Sequence, residues 1–114
     1  MSKRNPQLLL SDILSSANKI IDYTNGLSLE VFEGDDKTID AVVRNFEIIG
    51  EAANRLPDEI KDKYISVDWH RIRGFRNRIV HDYMGIDTKI LWNIRESYLP
   101  SLINDIKSII EEVG

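Results

Sequence analysis

Apolar residues recur at intervals of three and four along nearly the whole chain, and no stretch alternates convincingly at period two. That spacing belongs to helices that bury one face, so it predicts an all-α domain and argues against a sheet. Leu9, Leu10, Ile13, Ala17, Ile20 and Ile21 mark the inner face of a first helix. Asn5 caps it, Pro6 occupies its first position where the missing N–H costs nothing, and Asn25-Gly26 stops it. Ser28 suits the cap of a short turn through Val31 and Phe32. Gly34-Asp35-Asp36 starts a second long helix facing inward with Ile39, Val42, Val43, Phe46, Ile49, Ala53 and Leu56. Small residues in its middle (Gly50, Ala52, Ala53) predict a close helix–helix crossing. Pro57-Asp58 ends it, before a turn or short helix running to Tyr64.

Asp68 caps a third helix, expected to run from Trp69 to about Met84 and to close at Gly85. Asp87 caps a last one, carrying Leu91, Ile94, Tyr98, Leu102, Ile106, Ile109 and Val113. Pro100 should kink that helix, because the Glu96 carbonyl loses its partner. The expected fold is an up-and-down bundle of four main helices plus one or two short ones. With 114 residues there is material for one domain, spanning 1–114, and one modest core.

Several function classes fall away. Cysteine is absent, which removes disulfides, thiol nucleophiles and thiolate metal sites. Two histidines without an HExxH spacing give no metal motif, so neither a metal nor a cofactor is expected. The longest apolar runs are too short for a membrane span or a signal segment, and a cytoplasmic location is expected. A net charge of −4 argues against generic polyanion binding. Its distribution says more. Between Trp69 and His81 lie Arg71, Arg73, Arg76, Arg78 and both histidines, with no acid among them. A solvated helix face opposite acids on a neighbour would explain such a strip equally well.

On a helical wheel Ile72, Phe75 and Ile79 form the core stripe of this third helix. Tyr83, Arg76, Asn77 and His81 then span an arc of about 160°, with Gly74 leaving open space beside it. Such an arc lines a groove, but a single helix does not focus all four groups on one atom. RNA supplies its own nucleophile in the 2′-hydroxyl, so its cleavage needs only a base, an acid and a cation for the phosphorane. Histidine moves protons near neutral pH, and arginine presents a planar fork that matches two phosphate oxygens. Asn77 donates or positions, and Tyr83 hydrogen-bonds or stacks on a base. His70 stands about 16 Å from His81 along a straight helix, too far to serve the same phosphate. A homodimer joined through the motif-bearing helices would bring two copies of Arg76 and His81 into one cleft. Without further context, surface or interface roles remain open for Arg76 and His81, a packed aromatic for Tyr83, and a salt bridge for Glu51.

The segment Arg76-Asn77-Arg78-Ile79-Val80-His81-Asp82-Tyr83 resembles the R-x4-H-x-Y signature of HepT-like members of the HEPN superfamily. Ala41–Ala53 resembles that family's second-helix pattern. Val67-Asp68-Trp69 ahead of the motif is similar as well, as are Trp92 and Leu99-Pro100 after it, so the likeness runs from about Leu8 to Ile109. The resemblance implies a metal-independent ribonuclease, the toxin of a prokaryotic toxin–antitoxin pair. Arg76 and His81 would be catalytic, with Asn77, Arg73 and Arg78 supporting or contacting RNA. It also implies a dimer with facing motifs and an MntA-like nucleotidyltransferase antitoxin that adds AMP to Tyr83. A bulky anionic adduct there would occupy the phosphate site. Two other readings stand beside it: a non-catalytic helical partner of a nucleotidyltransferase, and a purely structural dimerisation bundle.

Overall fold

The computed structural model describes residues 5–81 and 87–113, with Val80 and His81 described by their backbone alone. Among the described residues there are seven α-helices and no strand. They are α1 (Pro6–Thr24), α2 (Leu29–Glu33), α3 (Asp36–Arg55), α4 (Asp58–Lys63), α5 (Trp69–His81), α6 (Thr88–Ser97) and α7 (Leu99–Val113). The long helices are thus α1, α3, α5 and the α6–α7 pair, with α2 and α4 as the short ones expected.

Helix starts follow local chemistry, because the first turn leaves N–H groups that a short polar side chain can take. Asn5 Oδ1 accepts from the Gln7 N–H at 2.8 Å, and Ser28 Oγ from Val31 at 3.2 Å. Asp35 accepts from both the backbone and the hydroxyl of Thr38, at 3.1 and 2.7 Å. Asp68 accepts from the Arg71 N–H and Asp87 from that of Lys89, each at 2.9 Å. After α1 the chain turns through Gly26 at φ +79°, a conformation that costs glycine little.

The last stretch differs from a single kinked helix. The break falls at Tyr98, two residues before Pro100, so that proline lies in the first turn of α7. There its missing N–H would be unpaired anyway, and no bond from the helix interior is sacrificed. The chain is tied across the junction: the Tyr98 N–H donates to Ile94 at 2.9 Å, and Leu102 donates to the Tyr98 carbonyl at 3.0 Å.

The core is one cluster. Leu10, Ile13, Ala17 and Ile20 of α1, Phe46 and Ile49 of α3, Ile72 of α5, Leu91 of α6 and Ile106 of α7 have no exposure at all. Helix α3 packs against α1 on one side and α5 on the other, while α1 also packs on α7. Each buried Leu, Ile or Phe contributes roughly 1.5–3 kcal/mol, so the stripe Ile72, Phe75 and Ile79 anchors α5 firmly. Asn45 is a buried polar exception, satisfied by donating from Nδ2 to the Ala41 carbonyl at 2.8 Å. At the far end Arg95 Nε donates to Thr24 Oγ1 at 2.8 Å, and Thr88 Oγ1 donates to Glu33 at 3.0 Å. No helix among the described residues is long and apolar enough to cross a membrane.

Tyr98 ties the start of α5 to the α6–α7 junction. Its ring meets Phe75 edge-on at 6.2 Å, Arg71 lies over it at 4.6 Å, and its hydroxyl donates to the Asp68 carbonyl at a long 3.4 Å. Burial, with the negative charge of Asp68 second, pushes the hydroxyl pKa up to about 12. An unfolded tyrosine ionises near 10, so between about pH 10 and 12 the unfolded chain releases a proton that the folded one keeps. Stability is therefore full below pH 10 and falls as pH rises through that window, by on the order of 2 kcal/mol. Alkaline unfolding followed by circular dichroism should show this fall in the wild type and a flatter curve in Tyr98→Phe. Identical curves would refute the assignment.

Candidate functional site

Helix α5 begins where Asp68 caps it and Trp69 fastens it, the indole Nε1 donating to the Tyr64 carbonyl at 3.1 Å. Ile72, Phe75 and Ile79 are buried, so the stripe expected from the wheel is the stripe found. That orientation exposes Arg73, Asn77 and Arg78 and half-buries Arg76. Gly74 faces open space, with nothing within 4 Å of where a side chain would start.

The close crossing expected at the small residues of α3 is present, and its occupant is Arg76. A methyl group at Gly50 would overlap Cβ and Cγ of Arg76 and stand 3.4 Å from its Cδ. The arginine stem therefore lies directly on the α3 backbone. This arrangement buries Nε without a hydrogen-bond partner among the described residues. An unpaired buried donor costs about 1–3 kcal/mol. The Nη1 end reaches Asn77 Oδ1 only at 3.5 Å, too long to hold the guanidinium by itself. The stem is fixed by packing, and among the described residues the long contact to Asn77 is the tip's one polar contact.

The cationic strip does not act as one patch. Arg71 is taken up by the Tyr98 ring. Arg73 and the exposed His70 flank a groove of about 290 Å³ between α3, α4 and α5, which Gly50, Asn54, Lys61 and Trp69 also line. Lys61 there stands 4.0 Å from Asp58, a weak pair with one fully open partner. Asn54 and Lys61 escaped the sequence reading, which concentrated on one helix. Their signal was the pairing of Gly50 and Ala53 with the Pro57 turn, which brings α4 back beside α5. Glu51, weighed as an orienting carboxylate or a salt-bridge partner, lines a different groove with Leu9, Asp12 and Arg55.

His81 is the last described residue of α5, five positions after Arg76 on the same helix. Its side chain, the expected run to Met84 and Gly85, and Tyr83 lie outside the described residues. Of the six candidate residues, the structure thus locates the side chains of Arg73, Arg76, Asn77 and Arg78. No group of three or more His, Asp or Glu side chains that could hold a metal ion occurs among the described residues.

Comparison with known proteins places this geometry in context. The family model described as Ribonuclease HepT-like matches residues 13–109. A Methanocaldococcus jannaschii protein that carries a provisional RNase name is 37% identical over 113 residues, covering 99% of this chain and 93% of the relative. A similarly named protein of Caldanaerobacter subterraneus subsp. tengcongensis is 34% identical, covering 96% and 97%. A Thermococcus cleftensis protein named "Probable ribonuclease HepT" is 34% identical over 100 residues, covering 88% and 91%. No solved structure matches.

Proposed function

The chain belongs to the HepT-like ribonuclease family, and we propose that it is a metal-independent endoribonuclease with Arg76 and His81 as its catalytic residues. The observation that carries this reading is the seating of Arg76. Its stem is held against Gly50 of α3 while its tip meets only Asn77 among the described residues, on the helix that carries His81. An arginine fixed in this way meets a phosphate with less ordering to do, which favours the charge-rich transition state.

The reaction follows from the groups. The 2′-hydroxyl oxygen attacks phosphorus as His81 takes its proton, and Arg76 holds the non-bridging oxygens as negative charge builds. The bond to the 5′ oxygen breaks, that oxygen takes a proton, and the products are a 2′,3′-cyclic phosphate and a 5′-hydroxyl. Proton removal and proton delivery are two tasks on opposite sides of one phosphate. The same histidine of a second copy supplies the second group in a homodimer whose α5 helices face one another. Asn77, Arg73 and Arg78, all exposed on α5, contact the RNA strand.

By its motif the chain acts as the toxin of a toxin–antitoxin pair, with an MntA-like nucleotidyltransferase as its partner. AMP addition to Tyr83 places an anion near the phosphate-binding arginine and shuts the site. The deciding experiment compares wild type with His81→Ala. Wild type should stop growth on expression and cut RNA in the presence of chelator, leaving cyclic phosphate ends. His81→Ala should do neither. A requirement for added metal, or equal cutting by the variant, would overturn the reading. Untouched RNA together with a Tyr83-dependent modification would instead favour a binding module.

A further inference from the structure

We infer that Gly50, on α3, is the positioning residue for Arg76. For its catalytic consequence the inference rests on the ribonuclease reading above; for its geometry it rests on three features of the chain.

The first is steric. The space a side chain at position 50 would take is already filled by Cβ and Cγ of Arg76. The second is what that contact does to the guanidinium. With the stem pressed onto the α3 backbone, Nε is buried and unpaired among the described residues. A phosphate therefore cannot approach through Nε and one Nη. The approach left open is end-on, to the pair of Nη groups, so Gly50 sets the face that the arginine offers. The third is placement. Gly50 also lines the groove that holds Trp69, His70 and Arg73, so one residue without a side chain joins that groove to the Arg76 stem. Alanine in a helix interior ordinarily stabilises relative to glycine. Glycine at this buried position in α3 gives up that advantage, and the stem of Arg76 is what occupies the space.

The test sets Gly50→Ala against Gly74→Ala, a second glycine-to-alanine change on a helix but into open space. Gly50→Ala should lower kcat for RNA cleavage by roughly 100-fold, the scale of a displaced transition-state donor, with a smaller change in KM. Gly74→Ala should cleave like wild type. A readout independent of activity is the Arg76 Nε–H proton in nuclear magnetic resonance. It should exchange with water at least about tenfold more slowly than that of exposed Arg78, as burial shields it, and Gly50→Ala should abolish the difference. Retained kcat or retained Nε protection in Gly50→Ala overturns the inference. If Gly50→Ala fails to fold, Gly50→Ala/Arg76→Gly decides, because only glycine at position 76 removes both Cβ and Cγ from the space over Gly50: recovery of a cooperative melt supports the assignment, and no recovery overturns it. Should wild type leave RNA uncut, the ribonuclease reading falls, and the Nε proton alone still decides the role of Gly50.

Discussion

Arg76→Ala should cleave RNA roughly 10²–10³-fold more slowly than wild type while melting within a few degrees of it. The first half follows from the role: removing a preorganised donor to a developing oxyanion costs about 3–4 kcal/mol of transition-state stabilisation. The second half follows from opposing terms. Truncation deletes stem methylenes packed on Gly50, at about 0.8 kcal/mol for each one buried. It also deletes a buried, unpaired Nε, whose burial costs about 1–3 kcal/mol. The two nearly cancel. Arg76→Lys should recover little, since an ammonium keeps the charge but has no planar fork and places it on a thinner stem. Single-turnover cleavage of a short RNA and a thermal melt of each variant check both halves. Activity within tenfold of wild type would remove Arg76 from the mechanism. A large loss of stability would mean that its role is structural.

Much of the fold was legible in sequence because the deciding interactions are local. Asn5, Ser28, Asp35, Asp68 and Asp87 each accept a bond from within the first turn they start, so a cap needs no tertiary context. The buried stripe of α5 was likewise fixed by periodicity, since only one face of that helix is apolar. What escaped was register between helices. The small residues of α3 announced a close crossing, but nothing local says that Arg76, and not an apolar side chain, fills the space over Gly50. Arg71 looked equivalent to its neighbouring arginines until Tyr98 came into position from the α6–α7 junction. The same limit explains the helix break. A proline announces a disruption nearby, while the packing of Tyr98 and Leu99 into the core chooses where it falls.

Phe75→Ala should be the most damaging single truncation in α5, costing about 3–5 kcal/mol. The ring is 8% exposed, meets Phe46 edge-on at 5.4 Å and Tyr98 at 6.2 Å, and so joins α5 to α3 and to the α6–α7 junction at once. Such edge contacts add about 0.5–1.5 kcal/mol beyond area burial. Against a typical total of about 5–15 kcal/mol, the melting temperature should fall by roughly 10–25 °C, with Arg78→Ala as an exposed control that barely moves it. Phe75 directly precedes Arg76, so the same truncation loosens the register that lays the arginine over Gly50. Cleavage measured well below the lowered transition should therefore be reduced but not lost, because the backbone contact at Gly50 still limits where the stem can go. Full activity in that folded state would show that the aromatic cluster sets stability alone. A loss as deep as that of Arg76→Ala would show that Gly50 does not hold the arginine without it.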